Sequence, residues 1–267
     1  MSQRPRAVIV AGPNGSGKST LTKQLKDDPA FEFPTNYINA DDLVREAAAS
    51  TQEERERVAF HQARDLRKTY RDQGVSHAFE TVFSHPSTLL DIMALKETGF
   101  DVTLVFVTTS NPLINIRRVA GRVQEGGHDV PREKIADRYE RAMRFLPRAC
   151  ELVDRAIIFD ASDRTRLAVW IEFGEVETDI TAPAYLVERL VVPLRERAEE
   201  QTRLGIAQQP DEAAGIYQGL IRQRLKHYAL QETVDGLIRH DLSLCDSELV
   251  VGEVQTLFYR SGYSTRS

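Results

Sequence analysis

Residues 12–20 read Gly12-Pro13-Asn14-Gly15-Ser16-Gly17-Lys18-Ser19-Thr20, directly after the apolar run Ala7–Ala11. This is the G-x-x-x-x-G-K-[ST] spacing in the context that gives it meaning, a strand feeding a helix. The glycines let the backbone turn with its N–H groups pointing inward, and the helix that follows directs its positive N-terminal end at the same spot. Lys18 then reaches the β- and γ-phosphates of a nucleotide such as ATP, and Ser19 holds Mg²⁺. Phosphate binding on this reading involves Gly12, Asn14, Gly15, Ser16, Gly17, Lys18, Ser19 and Thr20. An ordinary glycine turn is the competing account, and the strand–loop–helix order weighs against it.

Three further groups have the right types to complete a phosphoryl-transfer site. Asp41 lies one strand beyond the loop, where a carboxylate serves as general base toward an acceptor hydroxyl. Helix N-capping explains an Asp there equally well, and Asp42 is a second candidate cap. Glu80 ends the next strand; it can orient an acceptor through its hydroxyls, position water in an ATPase, or pair with an arginine in a buried structural role. Arg118 and Arg122, four apart and so on one helix face beside Arg117, suit a lid that stabilises charge on a transferring phosphoryl group. Surface arginines are the plainer alternative. Arg138, Arg141 and Arg144 continue the basic strip, and His128 in Gly126-Gly127-His128 reads as a hydrogen-bonding turn residue.

The elements that must position these groups alternate strand and helix. Strands are predicted at Ala7–Ala11, Tyr37–Asn39, His77–Thr81, Asp101–Thr108 and Ala156–Asp160; Asp101–Thr108, the most apolar, belongs at the centre. Helices are predicted at Lys18–Lys26, over Leu43–Gln73 with a break near Ser50-Thr51, and at Ser87–Glu97, Pro112–Gln124 and Pro131–Arg144. Such alternation implies an α/β fold, a mostly parallel sheet with helices on both faces. Ligands in such sheets bind beyond the carboxyl ends of the strands, where Gly12, Asp41, Glu80 and Thr108 all fall. Residues 1–165 form this domain. Residues 166–207 read as a connecting strand and helix, and Gln208–Asp211 as a linker. Short alternating runs over 208–267 predict a small antiparallel β-rich module.

Composition narrows the setting. The 267 residues include 41% hydrophobic and 28% charged residues, enough for a packed core under a solvated surface. A net charge of −5 disfavours nucleic acid as a partner, and no apolar run is long enough to span a bilayer. Cys150 and Cys245, far apart and without metal-ligand spacing, read as two reduced thiols of a cytoplasmic protein.

The string Ala11–Thr20, then Asn39-Ala40-Asp41, Phe79-Glu80-Thr81 and Arg118 through Pro131 with Arg138-Tyr139, resembles the zeta-toxin family of P-loop kinases over residues 5–165. The resemblance implies transfer of phosphate from ATP (or GTP), with Mg²⁺, to a sugar hydroxyl of UDP-N-acetylglucosamine or a related amino-sugar nucleotide. It also implies a toxin restrained by an antitoxin protein. By position it assigns Lys18 and Ser19 to nucleotide and metal, Asp41 to the base, Glu80 and Thr81 to the acceptor side, and Arg118 and Arg122 to the phosphates. The chain departs from the family pattern at Ala40, where Pro is usual, and at Asp160-Ala161-Ser162, where Asp-Asn-Ser is common. The tail from Gly215 to Gly262 resembles a small KfrB-type domain found on plasmid-associated proteins.

Overall fold

The computed structural model describes residues 4–48, 51–125, 130–177 and 182–266. The helix break predicted near Ser50-Thr51 falls between helices ending at Glu46 and starting at Gln52, with Thr51 as the cap of the second, while Ser50 itself and the turn holding His128 lie outside the described residues. Seven strands form the larger sheet: β1 (Arg6–Ala11), β2 (Asn36–Ile38), β3 (His77–Thr81), β4 (Asp101–Thr108), β5 (Arg155–Asp160), β6 (Arg166–Glu172) and β7 (Glu175–Val176). Their order is β2-β3-β1-β4-β5-β6-β7, so β4 sits in the middle as its apolarity predicts. The pairings from β2 to β5 are parallel and the last two are antiparallel. The strand at 166–172 therefore extends the sheet across β5 rather than merely connecting two units.

Both faces of this sheet are covered. Along β1, Ala7, Ile9 and Ala11 enter one apolar cluster while Val8 and Val10 enter another, and β4 splits in the same way. This is why these strands read as unbroken apolar runs instead of alternating ones. The covering helices are α1 (Lys18–Asp27), α2 (Ala40–Glu46), α3 (Gln52–Asp72), α4 (Ser87–Glu97), α5 (Pro112–Gln124) and α6 (Arg132–Leu152). Helix α6 runs eight residues beyond its predicted end at Arg144, through Pro147. A proline inside a helix removes a hydrogen bond, but Phe145, Leu146, Ala149 and Cys150 around it are fully buried, and that packing outweighs the loss. The last long helix starts as α7 (Ala184–Leu186), passes through a π-helical turn at Val187–Val191 and continues as α8 (Val192–Leu204). The wider turn lies where Pro193 cannot donate to the preceding turn.

The C-terminal residues form a separate antiparallel sheet, as their alternation predicts: β8 (Ile216–Arg224), β9 (Tyr228–Thr233), β10 (Gly236–Asp241), β11 (Val254–Arg260) and β12 (Tyr263–Arg266), in the order β10-β9-β8-β11-β12. Its own apolar cluster is small, centred on Ile221, Ala229, Leu249 and Leu257, so it leans on the larger body. Tyr263 packs against the main core and edge-on to Phe145 and His85. Gly262, at φ +91°, lets the β11–β12 turn approach so closely that a Cβ would lie 2.9 Å from that of Pro86. The predicted linker is pinned rather than free: Gln208 exchanges backbone hydrogen bonds with β10, and Pro210 and Glu212 are buried.

Beneath this junction lies a buried ionic cluster. Arg197 of α8 grips Glu151 with two 2.8 Å bonds and Asp241 with bonds of 2.7 and 3.3 Å. Arg148 of α6 reaches Glu151 and Glu212, both at 3.4 Å. Each charge loses its water and survives only because its partners replace it.

Candidate active site

The loop between β1 and α1 lies where the sequence puts it, at the carboxyl edge of β1. Gly12, at φ +143°, passes so close to β4 that a Cβ would stand 2.1 Å from the Val107 carbonyl oxygen. Only glycine fits. Gly17 caps α1 in a left-handed conformation with no side chain bonded to the helix N-terminus, so the first-turn amides keep their unpaired donors. Ser16 is fully buried, and its Oγ has no hydrogen-bond partner. Orphaned donors at a helix N-terminus fit an anion, and a phosphate group satisfies them.

Lys18 folds back over the loop and donates to the carbonyls of Gly12 at 2.7 Å and Pro13 at 3.1 Å. Burial lowers its pKa to about 8, against the raising influence of Glu80 and then Asp41, while Arg122 adds to the lowering. These charges therefore act on one ammonium group. Three residues that the sequence reading selected, from three different elements, thus bear on Lys18.

Glu80, at the end of β3, is the hub of the carboxyl edge. Its Oε1 accepts from Tyr37 Oη at 2.6 Å and from Thr22 Oγ1 at 2.7 Å, and its Oε2 from Ser19 Oγ at 3.2 Å. Burial and this carboxylate together hold the Tyr37 phenol well above its ordinary pKa, so it remains a donor. Glu80 is thus turned toward Ser19, the hydroxyl that the motif allots to Mg²⁺, rather than out toward an acceptor. One carboxylate and one hydroxyl with room for phosphate oxygens suit Mg²⁺, which seldom uses an all-protein cage. No group of three or more His, Cys, Asp or Glu side chains suited to a metal occurs among the described residues.

Asp41 is exposed in the first turn of α2. The capping question resolves onto neither aspartate: Asn39 caps α2, its side chain accepting from the Asp41 amide at 3.0 Å. Asp41's carboxylate thus has no capping duty. Thr81 backs the loop, its carbonyl taking the Gly12 amide, and its Oγ1 accepts from the Phe83 amide at 3.2 Å. Phe83 is held at φ +59°, a strained state for a non-glycine residue, by that bond and by complete burial against Phe106. Thr20 is exposed on the first turn of α1.

The arginines of α5 divide. Arg122 is exposed and lies within electrostatic reach of Lys18. Arg118 donates through Nη2 to the Ala161 carbonyl at 2.7 Å and so ties α5 to the loop after β5. At the end of β5, where that loop begins, Asp160 accepts from the Ser162 amide and hydroxyl, from Tyr185 and from Arg166; burial opposes the shift, but these bonds hold its pKa below the ordinary carboxylate range.

Three supports escaped the sequence reading, and a fourth, Arg138, entered it only in a basic strip and in the family resemblance. Asn115, fully buried on α5, donates to the Asn14 carbonyl at 2.8 Å, and Arg138 of α6 reaches the Asn14 Oδ1 at 3.2 Å. Thr22 and Tyr37 were not singled out either. A capping Asn at 111 and a helix face of Asn115 and Val119 were the available signals for the first, and nothing in the spacing marked the last two.

Comparison with known proteins places this geometry. The zeta toxin family model matches residues 1–169. A protein of Haemophilus influenzae described as uncharacterized is 28% identical over 134 residues, covering 50% of this chain and 92% of the relative. Among solved structures, one from the PezAT chromosomal toxin–antitoxin system of Streptococcus pneumoniae is similar over 76% of this chain and 87% of its own, at 16% identity and TM-score 0.50. The AvrRxo1-ORF1:ORF2 structure with ATP is similar over 68% and 64%, at 16% identity and TM-score 0.52. At such identities these likenesses speak for the fold. The family match stops within β6 and leaves the C-terminal sheet outside it.

Proposed function

The chain belongs to the zeta toxin family, and on that premise we propose that it is an ATP-dependent kinase acting on a hydroxyl of a nucleotide-activated amino sugar such as UDP-N-acetylglucosamine. The observation that carries the reading is that the charges of Glu80, Asp41 and Arg122, from three elements, all act on the Lys18 ammonium of the phosphate loop. Lys18, the loop amides and Ser16 hold the triphosphate of ATP (or GTP). Ser19 and Glu80 supply the ligands for Mg²⁺, which neutralises phosphate charge when bound. Asp41, free of capping, takes the proton of the acceptor hydroxyl. Arg122, with Arg118 beside it on the same helix face, stabilises charge on the phosphates; a guanidinium has five N–H donors, and the bond to Ala161 uses one.

Hydrolysis by a Glu80-activated water is the alternative chemistry. Engagement of both Glu80 oxygens by Ser19, Thr22 and Tyr37 favours transfer over it. A toxin role, with an antitoxin as partner, accords with the family and with the two-protein systems from which the similar structures come. No helix among the described residues is long and apolar enough to cross a membrane.

The test is Asp41→Asn assayed with ATP, Mg²⁺ and UDP-N-acetylglucosamine, product read by mass. Transfer should fall by about 10²–10⁴-fold while ATP affinity stays within about twofold. Undiminished transfer removes the base. ATP consumption that is vigorous without acceptor and unchanged by it removes the kinase.

A further inference from the structure

A cavity of about 300 Å³ opens between α3, β3 and α4, toward the amino ends of the strands. Its floor includes His77, the first residue of β3, and Thr81 at the catalytic edge lies four residues on, about 13 Å along the strand. No residue of the phosphate loop and none of the site residues above lines it.

Polar groups in its wall are incompletely matched. His77 is fully buried, and its Nδ1 lies 2.9 Å from the Val75 carbonyl. A carbonyl only accepts, so Nδ1 carries the ring proton and Nε2 presents a bare lone pair. That Nε2 has no hydrogen-bond partner. Burial, with Arg67 nearby, lowers the ring's pKa and keeps it neutral. Arg67, whose guanidinium lies 4.9 Å over the Phe79 ring and pairs with Asp91, has a buried Nε–H with no acceptor. A buried acceptor lacking a donor and a buried donor lacking an acceptor each leave a loss of hydration uncompensated. At the mouth stand Arg64, Lys68 and Arg71, and Lys68 makes no ion pair among the described residues. The cations lining the cavity outnumber its two carboxylates, Asp65 and Asp91.

From this pattern we infer that the cavity is a second ligand site, for a small hydroxylated anion of sugar-phosphate size. A ligand hydroxyl donates to His77 Nε2, a ligand oxygen accepts from Arg67 Nε, and the anionic group meets Lys68 and Arg64 at the mouth. The volume is at the small end of ligand sites, which excludes a whole nucleotide sugar. The site is independent of the phosphate loop and of the reaction proposed for it.

The test uses four probes, glucose 6-phosphate, gluconate, inorganic phosphate and glucose, titrated into the full chain carrying ¹⁵N-labelled histidine. Glucose 6-phosphate or gluconate should move the His77 Nε2 resonance saturably, the pair telling phosphate from carboxylate, with phosphate and glucose at least about tenfold weaker. Lys68→Glu and Arg64→Glu, exposed and harmless to the core, should each weaken binding by about tenfold. Lys18→Ala, which disables the phosphate loop, should leave the His77 response intact. A His77 signal unmoved by all four probes overturns the inference. So does phosphate binding as tightly as the sugar phosphate, an adventitious ion only, or a response lost in Lys18→Ala and kept in Lys68→Glu.

Discussion

The free protein should lose nucleotide affinity as pH rises from 7 to 9, and Lys18 should be the reason. Burial beneath the loop brings its pKa down to about 8. About nine-tenths of molecules then carry a charged Lys18 at pH 7 and about one-tenth at pH 9. Bound phosphates favour the charged form and raise the pKa again, so above pH 8 binding takes up a proton. Across these two units the affinity for MgADP should fall about tenfold, equivalent to about 1.4 kcal/mol. The unliganded fold moves the other way. The unfolded chain keeps this proton up to its ordinary pKa, so stability relative to Lys18→Met rises between pH 8 and that value while affinity falls. Calorimetric titration in buffers of different ionisation enthalpy reads affinity and proton uptake together. Burial pushes the Cys245 thiol up to about 12 and Cys150 higher, so neither cysteine titrates in the window. Lys18→Met should bind weakly with a flat profile. A flat profile in the natural protein, or an unchanged slope in Lys18→Met, refutes the argument.

Two further outcomes follow from the hydrogen-bond and ion-pair geometry. Tyr37→Phe deletes the shortest bond to Glu80 and should raise the Mg²⁺ concentration needed for half-maximal MgADP binding by about tenfold, with Mg²⁺-free ADP binding unchanged. Arg197→Met leaves Asp241 and Glu151 without their main partner in a dry site and should cost about 3–5 kcal/mol in urea unfolding. Burial alone would raise the Asp241 pKa, yet the charge and hydrogen bonds of Arg197 hold it far below the ordinary carboxylate range. That contribution is complete above about pH 4 and fades as pH falls toward the folded-state value, so Arg197→Met should also flatten the acid limb of the stability curve.

The elements were legible where one physical signal ruled. Glycine spacing after an apolar run located the loop, and unbroken apolar runs located β1 and β4 because both sheet faces are covered. Polar alternation revealed the C-terminal sheet. Legibility failed where a distant partner decided. Nothing local told that Asn39 rather than Asp41 or Asp42 would cap α2, because all three can cap and only the backbone path selects one. Helix α6 outran its predicted end because the packing around Pro147 comes from elements far away in sequence. The stretch after Gln208 looked like a linker because its partner, β10, lies almost thirty residues further on.

Glu80 carries the same lesson into the chemistry. At the end of a strand, a glutamate has a wide choice of roles, and only its neighbours narrow them. The sheet order puts β3 between β2 and β1, so Tyr37 on β2 and Ser19 and Thr22 at the start of α1 reach the same carboxylate from opposite sides. An absence of acid at the end of β4, which counts against an ATPase-style metal site there, therefore does not leave Ser19 without a carboxylate beside it; Glu80 of β3 lies 3.2 Å away. With Glu80 so engaged, and Asn39 rather than Asp41 capping α2, the proposal assigns the incoming hydroxyl to Asp41, whose charge also acts on Lys18. On the proposed reading two acids divide the labour, one on the metal side and one open to the acceptor, and that division favours transfer to an alcohol over transfer to water.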